Sequence, residues 1–372
     1  MHQSAYRISR AQNPHDIARL LKMLNAVYRP RAMPSQGMAL EFPHLFDVRN
    51  AHNLFFAEAD GNPISMVGVY PQKIIIQGAE LPVASIGCVC TTPDYENQGI
   101  ATSILNAVFD NLSRQQIPLA LISGERGLYQ RLGAVAIGSL RQVTAPADLL
   151  RNLGGHLQGL GTLTVTEASP SQRGQWASSL IPFYWEKSTR FRRSAAHMKT
   201  LLQALWFVRE GYDQRLFGLS VEGRPVGYVV AYRSNRHPDQ VAVMEWAGSL
   251  PLVLGGLFPI LDLFHSETLM INLPAADPWL DSLLTALGIL GREVAVQGTV
   301  RVLNKEALVT ALDPLIQERH QNAIAFNQAF TMRSSKNGHQ ELSSQEILSR
   351  IFGQTAEDVG IPFPWTDDLN YI

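Results

Sequence analysis

One pattern returns in this chain at a fixed spacing, and it restricts the fold more than any other feature. Leu54-Phe55, Gly61, Pro63 and Tyr70 recur as Leu216-Phe217, Gly223, Pro225 and Tyr232, each 162 residues further on. Both stretches read as strand, turn, strand, with apolar runs on either side of a turn bearing Gly and Pro. Hairpins share turn chemistry, so isolated coincidences carry little weight. Matches held in one register favour a duplicated α+β fold. The length agrees, since 372 residues is two or three units at roughly 150 residues per domain. With 46% hydrophobic residues, the chain can fill more than one core.

Local periods alternate along the first third. Ile17, Leu20, Leu21, Leu24 and Val27 are spaced as one face of a helix over 14–28. Strands at 54–57 and 64–70 flank the turn Asp60 to Pro63. Ala84 to Thr91 is a further strand, stopped by Pro93, which cannot donate to a ladder. A second amphipathic helix runs from Gly99 to Gln115, followed by a short buried strand, Pro118 to Ser123. A short helix, Leu128 to Leu132, ends at Gly133. The stretch 154–174 is rich in Gly, Ser and Thr and reads as a junction. The expected units are therefore 1–150, 151–304 and a C-terminal helical segment, 305–372. That segment holds a long helix from Lys305 to Phe330, a polar loop around Ser334 to Gly338 and a helix from Ser343. It ends in a tail, Ile361 to Ile372, whose aromatic residues suit docking onto the body.

Composition removes several classes. Lys and Arg number 31 against 32 Asp and Glu, a net charge of −1, whereas a nucleic-acid binder needs a basic excess to displace phosphate counterions. Cys88 and Cys90 are the only cysteines. On a strand they point the same way about 7 Å apart, too far for a disulfide. They read as small buried strand residues. The ten histidines show no metal-ligand spacing, so no metal is expected. Residues 1–10 lack the apolar core of a signal peptide. Leu250 to Phe264 is too short to span a bilayer and carries Pro251 and Pro259. A cytoplasmic protein without membrane or nucleic-acid partners is expected. Arg190, Arg192 and Arg193 read as a solvated basic face, with a phosphate contact as the alternative.

Chemistry is concentrated in 84–105. A strand leads through a short turn, Pro93 to Gln98, into a helix opening near Gly99. The first turn of a helix leaves its N–H groups unpaired, and its dipole favours an anion there. Gly99 and Ala101 have little or no side chain to keep a phosphate away, and Thr102 adds a hydroxyl donor. A pyrophosphate or similar group fits. Neither a phosphate-loop Gly-Lys-Ser/Thr nor the three-glycine dinucleotide fingerprint is present.

The run Thr92-Pro-Asp-Tyr-Glu-Asn-Gln-Gly-Ile-Ala101 resembles the pyrophosphate-binding motif of GNAT-type acetyltransferases. Ser123-Gly-Glu-Arg-Gly-Leu-Tyr-Gln-Arg-Leu-Gly133 resembles a later motif of that family, in which a tyrosine precedes a Leu-Gly turn. Phe42-Pro-His-Leu-Phe46, Asn53-Leu54 and Val67-Gly-Val-Tyr-Pro71 are similar to its tandem-domain branch, which includes the enhanced-intracellular-survival-type enzymes. The resemblance covers 42–138, and the second half echoes it only in the hairpin and in 300–308. Glu96 departs from the family at a basic or amide position, and an acidic side chain there weakens cofactor binding unless it faces solvent. The second half has no such motif, because Met244 to Pro251 runs straight into an apolar helix. The last segment is shorter than the branch's sterol-carrier-like domain and reads as a reduced remnant.

This resemblance implies a mixed-sheet acyl-CoA N-acyltransferase fold, duplicated. It implies acetyl-CoA as co-substrate and a small-molecule or peptide amine as acceptor. Val89, Cys90 and Thr91 would pair with the pantetheine arm. Asn97, Gln98, Gly99, Ile100, Ala101 and Thr102 would cradle the pyrophosphate, and Gly124 and Glu125 would border the thioester. Tyr129 matches the general acid that reprotonates the CoA thiolate. Glu125 reads either as a base or as a helix-start carboxylate. In the tandem branch the terminal carboxylate can act as base, which nominates Ile372; the alternative is a tail that only seals an interdomain groove. The rival to an enzyme is a non-catalytic acyl-CoA-binding or structural module. An exposed strand edge in the second half would support a homo-oligomer.

Overall fold

In the computed structural model, residues 6–30, 37–156, 161–205, 211–274, 278–319, 343–353, 359–363 and 368–372 are described. The first half carries β1 (Arg7–Arg10), α1 (Pro14–Tyr28), α2 (Met38–Glu41), β2 (Leu54–Ala59), β3 (Asn62–Ile76), β4 (Ala79–Thr91), α3 (Ile100–Arg114), β5 (Leu119–Ile122) and α4 (Gly127–Arg131). Next come β6 (Ser139–Pro146), α5 (Ala147–His156), β7 (Leu163–Glu167), α6 (Ala177–Trp185), β8 (Thr189–Phe191) and α7 (Ala195–Gln203). The second hairpin and its crossover follow as β9 (Asp213–Val221), β10 (Arg224–Ser234), β11 (His237–Gly248), α8 (Leu250–Gly255), α9 (Leu257–Leu263) and β12 (Thr268–Pro274). The chain closes with α10 (Pro278–Ala286), β13 (Gly291–Ala295), β14 (Thr299–Val302), α11 (Lys305–Arg319) and α12 (Ser344–Phe352).

These strands build two mixed sheets of seven, ordered β1-β2-β3-β4-β5-β14, with β8 beside β3, and β13-β6-β12-β11-β10-β9-β7. The sheets repeat one plan. Antiparallel neighbours β1 to β4 lead through α3 to a parallel β5, and antiparallel β7, β9, β10 and β11 lead through α8 and α9 to a parallel β12. The mixed-sheet α+β architecture and its duplicated plan agree with the sequence reading.

After the parallel strand the halves trade places. Strand β6, expected in the first unit, pairs antiparallel with β12 of the second sheet. Strand β14, expected in the second unit, pairs antiparallel with β5 of the first. Helix α5 packs with the second core through Leu150 and Leu153, so the stretch around 139–150 sides with the second sheet rather than the first. A local sequence pattern cannot register this, because the exchange is decided by partners more than a hundred residues away.

Local reasons for the elements are plain. Asn13 caps α1 by accepting from the Asp16 N–H, and Pro14 begins the helix where a missing N–H costs nothing. Helix α3 turns Ile104, Leu105, Val108 and Leu112 onto the first sheet, each at most 1% exposed, and each such burial contributes roughly 1.5–3 kcal/mol. Strand β3 runs on past Pro71, where the sequence reading stopped it. Pro71 pairs with Ala84 of β4, while β2 has already ended its pairing at Gly68, so the missing N–H faces no strand on that edge. The supposed junction contains β7, a short and largely exposed edge strand. Helix α11 begins at Lys305 as expected and is described to Arg319; its expected continuation to Phe330 and the loop at 334–338 lie outside the described residues.

One core lies between the two sheets. Leu54, Phe56 and Met66 of the first meet Leu216, Tyr228, Val230 and Met244 of the second, with Leu369 and Ile372 of the tail among them. The tail therefore docks onto the body, and Phe363 sets its ring edge-on to Phe352 at 5.1 Å. Among the described residues no helix is long and apolar enough to cross a membrane.

Candidate active site

Strand β4 is irregular at its centre. Met66 pairs with Cys90 and Gly68 with Gly87, so β4 carries one residue more than β3 over this step. Cys88 absorbs it with φ 52°, a conformation an L-residue enters at a cost and one that marks a bulge. Past the bulge, the Ser65 hydroxyl holds β4 to β3 by donating to the Cys90 carbonyl at 2.8 Å. On the other edge, pairing with β5 ends at Ile86 and Ile122. Beyond that point the two parallel strands part, and a ligand has access to the backbone of β4. Both thiols are buried. Burial pushes Cys88 well above the usual thiol range and Cys90 up to about 12, so neither is a thiolate nucleophile at neutral pH.

The turn after β4 leaves backbone amides without acceptors. Asn97 has φ 60° and Gly99 φ 76°, both left-handed. Gly99 is the N-cap of α3, with no side-chain cap, and the first helical bond returns from the Ser103 N–H to the Gly99 carbonyl at 3.0 Å. The N–H groups of Ile100, Ala101 and Thr102 precede that bond and have no intrahelical acceptor. A β-carbon placed on Gly99 would have no atom within 4 Å, so those amides open onto free space. The space is a groove of about 530 Å³, lined by Val89, Cys90, Thr91, Asn97, Gly99, Ile100, Ala101 and Thr102 together with Tyr95, Glu96, Arg126, Leu128 and Arg131. Glu96 is exposed, which removes most of its repulsion for a bound anion. Arg126 and Arg131 bring two cations that offset the rest.

Of the residues nominated from sequence, the structure thus gathers Val89, Cys90, Thr91, Asn97, Gly99, Ile100, Ala101 and Thr102 around one groove. Gln98 turns away, and its amide donates to the Asp94 carbonyl at 3.2 Å. Gly124 and Glu125 are not in the groove lining. Gly124 instead backs onto Tyr129: its φ is 148°, and an added β-carbon would stand 3.1 Å from Tyr129 Cε2. Tyr129 is 4% exposed. Burial raises its phenol pKa above the usual value, Arg126 pulls it back and Cys88 adds a smaller rise. Ile372 lies at the bulge from the opposite side. A β-carbon on Gly87 would stand 2.2 Å from its carbonyl oxygen and 2.4 Å from its carbonyl carbon, so the chain's last residue occupies the place a side chain at 87 would take.

Sequence reasoning missed three residues here. Arg126 and Arg131 flank the Leu128-Tyr129 pair, and their spacing about a tyrosine beside an anion site was a usable signal. Tyr28 gave none. It ends α1, and its hydroxyl donates to the Val89 carbonyl at the bulge. Burial raises its pKa, with Cys90 the next cause. A basic run was also misread, since Arg193 is buried rather than solvated. Arg192 pairs with Glu80, and Arg190 donates to the Lys187 carbonyl.

Facing the second half, near the interdomain core, His44 and His197 stand 5.9 Å apart, each beside Tyr70. Both ring nitrogens of His44 and Nε2 of His197 are buried without a hydrogen-bond partner among the described residues. Burial lowers their pKa values to about 3 and about 4, which keeps both rings neutral at neutral pH. Among the described residues no group of three or more His, Cys, Asp or Glu side chains could hold a metal ion.

A sequence-family profile described as "Acetyltransferase (GNAT) domain" matches residues 9–136. Residues 9–136 are a GNAT acetyltransferase domain. The match takes in the bulged β4, the anion turn and Tyr129, and it stops where β6 leaves for the second sheet. Domains of this family take an acyl-CoA as co-substrate. No curated protein matches the sequence. Solved structures share the fold across both halves. A GCN5-related N-acetyltransferase from Anabaena variabilis superposes with TM-score 0.60 at 15% identity, over 82% of this chain and 75% of that one. A probable N-acyltransferase from Enterococcus faecalis gives 0.61 at 13%, over 82% and 74%. Eis1 from Mycobacterium abscessus gives 0.56 at 14%, over 82% and 76%.

The second half keeps the plan but not the groove. Strands β11 and β12 also part, after Ala242 and Met270. There Trp246 fills the gap, its indole N–H donating to the Asn272 carbonyl across it at 3.1 Å. The following helix, α8, has Pro251 in its first turn, which lacks an N–H to offer.

Proposed function

We propose that the chain transfers an acetyl group from acetyl-CoA to an amine at the bulge of β4. The observation that carries this reading is the single groove that joins the open edge of β4 to the unpaired amides of Gly99–Thr102 and to Arg126 and Arg131. Those amides and the α3 dipole suit the diphosphate, and the two guanidiniums add charge-assisted contacts. The parted edge of β4 beyond Ile86 offers strand-like hydrogen bonds to an extended amide-bearing arm.

In the transfer, the amine nitrogen bonds to the thioester carbonyl carbon, the carbon–sulfur bond breaks, and sulfur leaves with the electron pair. The nitrogen loses one proton and the thiolate gains one. Tyr129 is suited to the second proton, because burial keeps its phenol protonated at neutral pH. The carboxyl group of Ile372 is suited to the first, because it lies against Gly87, one residue from the bulge.

The test is direct. The full chain is mixed with acetyl-CoA and a panel of primary amines, and free thiol is followed. Amine-dependent thiol release supports the reading. Calorimetric binding of CoA with no release from any amine would make the chain an acyl-CoA-binding module instead.

A further inference from the structure

A fully buried ion cluster sits in the second sheet at the position that corresponds to the active bulge of the first. Val230 pairs with Glu245 and Ala231 with Val243, so β11 bulges at Met244 as β4 does at Cys88. Glu245 has no exposed surface, and it is held from several sides. Its Oε1 accepts from the Tyr228 hydroxyl at 2.7 Å and from Arg193 at 2.8 Å; its Oε2 accepts from Arg193 at 2.7 Å. Arg193 lies 3.9 Å over the Tyr184 ring.

Apart from a contact of Arg193 Nη1 with Met198 Sδ at 3.6 Å, the cluster is completed by the tail. The Leu369 N–H donates to Glu245 Oε2 at 3.3 Å. Arg193 also reaches Asp368 at 3.1 Å and Asn370 Oδ1 at 3.2 Å. Asp368 Oδ1 in turn accepts from the Asn370 backbone and side-chain amides, both at 2.8 Å, which locks the turn. Two residues later the chain ends against Gly87. A bidentate Arg–carboxylate pair fixes direction as well as distance, and a buried one tolerates little drift, because either charge left alone is severely penalised.

We infer that Glu245 and Arg193 are positioning residues for the first site. The vestigial bulge of the second half has become the clamp that sets where Ile372 lies at the working bulge of the first. This inference rests on the proposed transfer reaction for its kinetic consequence, but not for its structural one.

Two variants approach the tail from opposite ends. Glu245→Gln keeps the shape and weakens the clamp on 368–370. Gly87→Ala leaves the clamp intact and evicts Ile372, because the new methyl would overlap its carbonyl. Each variant is expected to lower kcat at least tenfold while the KM for acetyl-CoA and calorimetric CoA binding stay within twofold. The double variant should be no worse than the poorer single one, since both act through one displaced residue. Multiplicative losses in the double variant would overturn the inference. Hydrogen exchange over 368–372 should accelerate at least tenfold in Glu245→Gln, and unchanged exchange would also overturn it. That readout needs no turnover, so it stands even if no amine is acetylated. Should Glu245→Gln fail to fold, Asn370→Ala removes one arm of the same clamp and is held to the same exchange criterion.

Discussion

Gly99→Ala separates the anion site from the fold it is built on. Gly99 sits at φ 76°, so the substitution places an alanine in left-handed backbone, which costs roughly 1–2 kcal/mol. No atom lies within 4 Å of the new methyl, so no steric term is added. Spread over a chain of this length, that cost lowers Tm by only a few degrees. Cofactor binding should suffer far more. The methyl projects into the groove beside the amides of Ile100–Thr102, where a diphosphate oxygen would need hydrogen-bond contact at about 2.9 Å. Losing one charge-assisted hydrogen bond, worth roughly 1.5–3 kcal/mol, weakens CoA binding by about ten- to a hundredfold. Titration calorimetry with CoA and thermal melts of both proteins separate the two effects. A CoA affinity within twofold of wild type, with the expected small drop in Tm, would refute the assignment of the diphosphate to this turn.

Three further outcomes follow from the same geometry. Tyr129→Phe should lower kcat by about a hundredfold or more with little change in CoA affinity, as steady-state kinetics and calorimetry would show; wild-type turnover would remove the phenol from the mechanism. Stability should fall on mild acidification. The neutral His44 and His197 have folded pKa values near 3 and 4 against 6.5 unfolded, so their contribution is complete above pH 6.5 and is lost as pH drops. Asp368, pushed up to about 6 by burial, opposes this with one proton below that pH, leaving a net loss of about 2 kcal/mol between pH 7 and 5 by denaturant titration; equal stability at the two pH values would contradict the buried neutral pair. Finally, residues 1–138 expressed alone lack β14, which leaves β5 an open apolar edge. Circular dichroism should show no cooperative melt for that fragment, and adding residues 139–372 in trans should restore one.

The sequence made the local part of this structure readable. The apolar spacing of 14–28 and 100–112, the turn after Ala59 and the helix opening at Gly99 are short-range signals that the structure bears out, although the turn shortens to Asp60 and Gly61 because Asn62 and Pro63 already pair in β3. The fixed register of the two hairpins showed the duplicated plan for the same reason. What escaped notice is long-range. Edge strands β1 and β7 are short and half-exposed, so no alternation announces them. The exchange of β6 and β14 depends on strands that become neighbours only after both halves have formed. Arg193 looked like part of a solvated run, because nothing near it in sequence reveals that Glu245 and Asp368 wait for it in the core. Tyr28 likewise joins the site only because α1 ends beside the bulge. The turn at 97–102 was legible because its backbone geometry is local, whereas its flanking arginines and the tail at Gly87 arrive through tertiary packing.

A crystal structure of the chain with CoA tests the central claim most directly. The account predicts diphosphate oxygens within hydrogen-bond distance of the amides of Ile100–Thr102, with the pantetheine arm running along Val89–Thr91 in the gap beside β4. Saturating CoA bound elsewhere, with those amides facing only solvent, would contradict it.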